Sequence, residues 1–283
     1  MKVAILLNPH ASRAREGDPS REILAACREA GLDARLHVCD AAQLTTFARS
    51  LASTAHAVIA AGGDGTVSAV AAGLVGSGVP LGVIPLGTRN HFARDIGVTD
   101  VATAIAAIAR GRTRRIDVAE VNGHTFVNNS SIGLYPEMVS ERRQLKWLAV
   151  ARASLRTLLK FPLMNVAVKL AGDVFSARTP FVMVGNNPYA LEPLGSRPRL
   201  DGGKLAIYTM RVTRRFSMLR MLARALVRRK RPVEVEEHDV ERADIVIGKR
   251  SVKVALDGEV RRLRSPLTYR TRPRALVVLG AFT

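Results

Sequence analysis

The chain has 283 residues, 47% of them hydrophobic, which suits one large or two modest domains with a sizeable core and excludes a disordered chain. Lys and Arg number 43 against 24 Asp and Glu, a formal charge of +19, so the partners selected by charge are polyanions: nucleic acid, an anionic membrane surface or phosphorylated ligands. Aromatic residues at 5% leave few rings for stacking bases, which weighs against nucleic acid.

The first residues, Met1 to Pro9, hold an apolar run too short for a signal peptide. No window reaches the roughly 18 uninterrupted apolar residues of a membrane span. Cys27 and Cys39 lack metal-ligand spacing and indicate a reducing compartment. The expectation is a cytoplasmic protein that touches a membrane only peripherally.

Val3–Leu7 predicts a strand ending at Asn8-Pro9, followed by a helix over Ser20–Ala30 with Gly31 as its C-cap. A strand over Leu36–Cys39, a helix over Ala41–Ser53 and a strand over Ala55–Ala61 come next. A helix over Thr66–Val75, a strand over Leu81–Ile84 and a helix over Val101–Arg110 complete the series. Repeated βα units predict an α/β domain over 1–118, a Rossmann-like parallel sheet with helices on its faces. Ligands of such sheets sit beyond the carboxyl ends of the strands, where Asn8, Gly62–Thr66 and Pro85–Asn90 all fall.

From about Asp117 the pattern changes to short strands broken by Gly, Pro or Asp-Gly turns. These are Ile116–Val121, His124–Asn128, Asn165–Leu170, Phe181–Gly185, Lys204–Met210, Val233–Glu237, Asp244–Ile247, Val252–Leu256, Leu267–Arg270 and Ala275–Leu279. They predict a β-rich, sandwich-like domain over 119–267, interrupted by basic helices over Glu141–Lys160 and Phe216–Arg229.

Three segments carry chemistry. Gly62-Gly63-Asp64-Gly65-Thr66 joins a strand to a helix, so its amides and the helix N-terminus suit an anion, while Asp64 suits a metal or hydroxyl. It is neither a P-loop nor a dinucleotide fingerprint, and a tight turn is the plain alternative. In Pro85-Leu86-Gly87-Thr88-Arg89-Asn90, Gly87 allows close backbone approach and Thr88 and Asn90 offer polar groups; the plain alternative has Asn90 capping the next helix. Leu256-Asp257-Gly258-Glu259 sets two carboxylates around a glycine, which is either a hairpin turn or a proton acceptor for phosphoryl transfer to an alcohol.

Four ordered motifs resemble the diacylglycerol kinase catalytic-domain family, which is similar to sphingosine and ceramide kinases. They are Asn8-Pro9-His10-Ala11-Ser12, Gly62–Thr66, Pro85–Thr88 with Asn90 and Phe92, and Leu256–Glu259; Gly185-Asn186-Asn187-Pro188-Tyr189 matches a further mid-chain element. The resemblance implies an ATP-binding α/β domain, completed by the last strands at about 268–283, and a lipid-substrate domain. It implies that Asn8, Pro9 and Ser12, the run Gly62, Gly63, Asp64, Gly65, Thr66, Val67, Ser68 and Ala69, and Gly87, Thr88 and Asn90 contact ATP. Asp64 and Asp117 would hold Mg²⁺, and Glu259 would accept a proton with Asp257 beside it. The chain departs from the family at His91 and Gly202, where acidic residues are usual, and at Ala69. His91 either bonds a phosphate or fills space.

The basic stretches 141–160, with Trp147, and 211–231 read either as helices with a solvated charged face or as docking surfaces for anionic lipid. The leading expectation is an ATP-dependent lipid kinase acting on diacylglycerol or a related lipid alcohol. The alternatives are an NAD kinase-type enzyme and a non-catalytic nucleotide- or membrane-binding homologue. The expected partners are the lipid alcohol and an anionic membrane surface, with a homodimer left open and no nucleic acid.

Overall fold

The computed structural model describes residues 1–9, 19–133, 163–170, 172–190, 196–210 and 235–282. Ser12 and the basic helices expected over 141–160 and 216–229 lie outside the described residues. The chain divides into two units, the first of Met1–Val118, Ser196–Gly202 and Arg272–Thr283, the second of Ala119–Gly195 and Gly203–Thr271.

In the first unit, β1 (Lys2–Leu7), α1 (Pro19–Glu29), β2 (Asp33–Val38), α2 (Leu44–Leu51) and β3 (Ala57–Gly62) lead to α3 (Asp64–Leu74). β4 (Leu81–Pro85), α4 (His91–Asp95), α5 (Val101–Arg110) and the start of β5 (Thr113–Val121) follow. The strand order β2–β1–β3–β4 is parallel throughout, with Val3 opposite Ala57 and Val58 opposite Leu81. Every residue of β3 and β4 is buried, as expected of parallel strands covered on both faces by helices. This is the Rossmann-like arrangement that the alternating pattern predicts. The crossing of α2 and α3 depends on Gly73, where a Cβ would run into the Thr45 carbonyl oxygen and lie 2.8 Å from Ala48 Cβ.

The second unit continues β5 and adds β6 (His124–Phe126), β7 (Asn129–Gly133), β8 (Met164–Lys169), β9 (Val174–Thr179) and β10 (Phe181–Asn186). β11 (Leu205–Met210), β12 (Val235–Val240), β13 (Arg242–Ile247), β14 (Ser251–Leu256), β15 (Glu259–Arg264) and β16 (Leu267–Leu279) complete the chain. One sheet runs β12–β11–β10–β7–β14–β15, and all its pairs are antiparallel. The other joins the first half of β16 to β13, β8 and β9, also antiparallel. Val182, Val184, Ile207 and Val254 from the first sheet share one buried cluster with Val166, Val168, Ile245, Leu267 and Tyr269 from the second. That is the sandwich core.

Several elements differ from the sequence reading. β7, β9 and β15 are absent from the sequence reading: β9 and β15 are edge strands with little apolar signal, five of the six β15 residues being exposed, and β7 is central but short and polar, with Ser130 and Ser131 buried. The two expected C-terminal strands are one, β16, whose second half runs parallel to β4 through Val278 and Leu81. Residues 196–202 pack with the α/β unit although their sequence neighbours β10 and β11 belong to the sandwich.

Gly73→Ala tests whether packing or helix propensity decides at the α2–α3 crossing. Alanine favours a helix by about 1 kcal/mol over glycine, whereas overpacking costs about 1–3 kcal/mol. The expected outcome is a net loss of stability, read as a lower urea midpoint at unchanged m-value.

Candidate functional site

Three turns leave the carboxyl edge of the parallel sheet, after β1, between β3 and α3, and between β4 and α4. Hydrogen bonds join them. Asn8 Nδ2 donates to Thr66 Oγ1 at 3.3 Å, and the Leu86 N–H donates to the Gly62 carbonyl at 3.0 Å. A Cβ on Gly62 would lie 2.6 Å from Thr66 Cβ, and one on Gly87 would lie 2.6 Å from Gly63 Cα. Glycine is therefore required for the two loops to touch backbone to backbone. Asn8, Gly62, Gly63, Thr66, Gly87 and Asn90 are thereby brought together.

Asn90 sits in the left-handed region at φ +48°, which asparagine tolerates better than most residues. Its side chain does not cap α4. Instead Nδ2 donates to the Gly87 carbonyl at 2.7 Å, and Oδ1 accepts from the Gly87 N–H at 3.1 Å. This ring fixes the loop shape beside the α3 N-terminus. Gly65, Thr66, Val67, Ser68 and Ala69 form the first turns of α3, whose leading amides have no intrahelical acceptor. Pro9 follows Asn8 at the end of β1, and Thr88 lies in the loop with Gly87.

Asp64 is the first residue of α3, and its Oδ1 accepts from the Phe92 N–H at 3.2 Å. His91 is half-buried, and an Arg94 guanidinium nitrogen lies 3.1 Å from its Nδ1. Burial holds the His91 imidazole below the usual histidine range, and the Arg94 and Arg89 charges act in the same direction against Asp64 and Asp95. Asp95, at the end of α4, is paired with the buried Arg197, a residue that no local motif marks out.

Among the described residues no three His, Cys, Asp or Glu side chains cluster as an all-protein metal site requires. Mg²⁺ in nucleotide sites takes only one or two carboxylates and fills its shell with phosphate oxygens and water, and a single well-placed Asp64 fits that need. Asp117 is fully buried on β5, with Oδ1 accepting from the Arg274 N–H at 2.8 Å and its own N–H donating to the Leu200 carbonyl at 2.7 Å.

In the sandwich unit, Asp257 and Gly258 both adopt positive φ, +47° and +92°, as a two-residue hairpin turn between β14 and β15 requires. Asp257 is 9% exposed and holds three backbone donors. Its Oδ2 accepts from Val127 at 2.8 Å, and its Oδ1 accepts from Asn128 at 2.8 Å and Asn129 at 3.0 Å. The Gly-Asn-Asn element supports this cradle: Asn186 Nδ2 donates to the Val127 carbonyl at 3.0 Å and the Asn186 N–H to the Asn128 carbonyl at 2.9 Å. Gly185 makes room for the Tyr189 ring, whose hydroxyl accepts from Asn129 Nδ2 at 3.2 Å. Glu259, across the turn, has 51% of its side chain exposed and lies 3.6 Å from Arg261. The two carboxylates thus differ in kind, one fully engaged by amides and one facing solvent. The cradle of Val127, Asn128 and Asn129 acts through main-chain groups, which no residue type announces.

Asp257→Ala removes the acceptor of three amides at once. The expected loss is about 3 kcal/mol or more, since each unpaired buried donor costs about 1–3 kcal/mol. Urea unfolding of the variant measures it.

Residues 2–121 match the family model described as the diacylglycerol kinase catalytic domain. A diacylglycerol kinase of Bacillus subtilis (strain 168) is 27% identical over 238 residues, 80% of this chain and 78% of that protein. A Klebsiella pneumoniae (strain 342) protein named "Probable lipid kinase YegS-like" is 38% identical over 129 residues, and the match spans 43% of each chain, less than half of that relative. The crystal structure of a diacylglycerol kinase from Bacillus anthracis str. Sterne superposes with a TM-score of 0.72 at 23% identity, covering 99% of this chain and 96% of that one, and shares its fold. The glycine-turn edge lies within residues 2–121, and over that stretch the chain is similar to the catalytic domain of diacylglycerol kinases and to the named lipid kinases.

Proposed function

We propose that the protein is an ATP-dependent kinase that transfers the γ-phosphate to the hydroxyl of diacylglycerol or a related lipid alcohol. The observation that carries this reading is the backbone contact of the Gly63 and Gly87 turns beside the α3 N-terminus, with Asp64 at its rim. Amides of that edge are suited to a polyphosphate, and the side chains of Asn8, Thr66, Thr88 and Asn90 to its polar contacts. Pro9 and Ser12 belong to the same assignment, with Ser12 outside the described residues.

In the proposed reaction the lipid hydroxyl oxygen bonds to the γ-phosphorus as the bond from that phosphorus to the β–γ bridging oxygen breaks. The hydroxyl proton passes to the Glu259 carboxylate, and ADP leaves. Asp257 holds the hairpin turn against its amide cradle, so Glu259 is presented from a fixed backbone. Mg²⁺, held by Asp64 with phosphate oxygens and water, would neutralise charge on the phosphates. Asp117, bonded to the Arg274 amide, is the second acidic residue of that assignment.

An NAD kinase-type reading shares the Gly-Gly-Asp-Gly turn, but the family match and the Leu256–Glu259 hairpin favour a lipid acceptor. A lipid acceptor also calls for a bilayer surface. Arg262 and Arg264 are exposed on β15 with no carboxylate partner among the described residues. We assign this hairpin, next to Glu259, to peripheral contact with anionic lipid at the cytoplasmic membrane face. No helix among the described residues is long and apolar enough to cross a membrane.

Radiolabelled ATP incubated with a total lipid extract is expected to yield a labelled lipid that comigrates with a phosphorylated lipid alcohol. Label in NADP instead, or in no product, would remove the reading. Glu259→Gln is expected to lower turnover by about 10²–10⁴ while ATP affinity and melting temperature stay at wild-type values. The paired reversal Arg262→Glu with Arg264→Glu is expected to weaken sedimentation with phosphatidylglycerol vesicles by at least about tenfold, each basic residue contributing about 1 kcal/mol. Equal sedimentation would show that this hairpin does not meet the bilayer.

A further inference from the structure

We propose that Arg197 is a positioning residue for the Asp64 carboxylate, acting through Asp95 and the short helix α4. Residues 196–202 form a strap that leaves the sandwich chain after β10 and packs in the α/β unit before β11 begins. Arg197 saturates Asp95 from the strap. Its Nε and a terminal guanidinium nitrogen lie 2.8 Å and 2.7 Å from Oδ2, and its backbone N–H donates to Oδ1 at 3.3 Å. The guanidinium is wholly buried and the Asp95 side chain is 6% exposed.

Asp95 is the last residue of α4, which has five residues. A helix that short does not hold itself in water, so its position is imposed from outside. Phe92 and Ile96 anchor it by burial, but apolar contacts are non-directional and set depth better than rotation about the axis. Rotation matters here because the Phe92 N–H is the donor to Asp64 Oδ1. A carboxylate whose two oxygens are both engaged from the strap supplies the missing direction. A buried ion pair is often replaceable by apolar residues at no loss of stability, so stability is a poor reason to retain one and geometry a better one. The same strap also meets Asp117, whose N–H donates to the Leu200 carbonyl at 2.7 Å.

The inference rests on the kinase reading only for its nucleotide arm. The test compares wild type with Arg197→Lys, the paired apolar replacement Arg197→Met with Asp95→Leu, and Asp64→Asn as the reference for a lost carboxylate. Hydrogen exchange of the Phe92 amide is read without ligand, and the Mg²⁺ dependence of a fluorescent trinitrophenyl-ATP is read by titration. The paired replacement is expected to keep the wild-type melting temperature within about 3 °C while Phe92 exchanges at least about tenfold faster. The Mg²⁺ concentration for half-maximal probe binding is expected to rise towards the Asp64→Asn value, with Arg197→Lys in between because an ammonium lacks the planar fork. Wild-type exchange at Phe92 in the paired replacement would overturn the inference, and if that variant does not fold, wild-type exchange in Arg197→Lys does so. A wild-type protein that binds no probe would defeat the kinase reading alone, leaving the exchange result to decide the role of Arg197.

Discussion

The α/β edge depends on one close approach, that of the Gly87 and Gly63 main chains. With no Cβ between them, two turns from adjacent parallel strands meet directly, and a side chain at position 87 would come within 2.6 Å of Gly63 Cα. Everything placed on those turns inherits this spacing. Asn90 closes its ring on Gly87, α4 starts from that ring, and the Phe92 amide of α4 then reaches Asp64 on the neighbouring turn. A carboxylate, a helix N-terminus and a polar loop are thus fixed relative to one another by backbone geometry rather than by long side chains, which lose more entropy when ordered.

The sandwich unit uses the opposite device to the same end. There a side chain organises the main chain: Asp257 gathers three consecutive amides, and Asn186 closes the far side by bonding the carbonyls of Val127 and Asn128. The hairpin needs a left-handed residue at position 257, which an aspartate can supply where most residues are strained. Asp257 and Glu259 therefore illustrate how one turn separates two carboxylates by environment. Engagement by three amides leaves Asp257 little capacity for a second task, whereas Glu259 keeps its exposed face.

The legible parts of the fold were those whose burial is two-sided. β3 and β4 read as apolar runs because both faces are covered, and the helices between strands announced themselves by period and glycine stops such as Gly111. β15 reads Glu-Val-Arg-Arg-Leu-Arg and β9 Val-Phe-Ser-Ala-Arg-Thr, sequences that edge strands adopt but that no periodicity separates from loop. The glycine turns and the Asp-Gly hairpin stood out by composition. Their supports did not: Arg197 and Asp95 lie 102 residues apart, and the Asp257 cradle consists of amides that any residue carries. Tertiary fixings of this kind leave no local pattern to read.

His91 is a departure whose charge state follows from its surroundings. An acidic residue at this position, as the family resemblance implies, would add negative charge beside Asp64. Burial, with Arg94 and Arg89 close by, lowers the imidazole pKa, so neutral histidine is favoured near pH 7, and an uncharged Nδ1 can accept from the Arg94 guanidinium 3.1 Å away. His91 thus lies between the Asp64 carboxylate at the start of α3 and the Arg89 and Arg94 charges, while Asp95 is engaged by Arg197. That balance is more positive than a second acidic residue would leave it. In the proposed function, this is the charge that a polyphosphate would meet at close range, where a partly buried setting screens less than bulk water does.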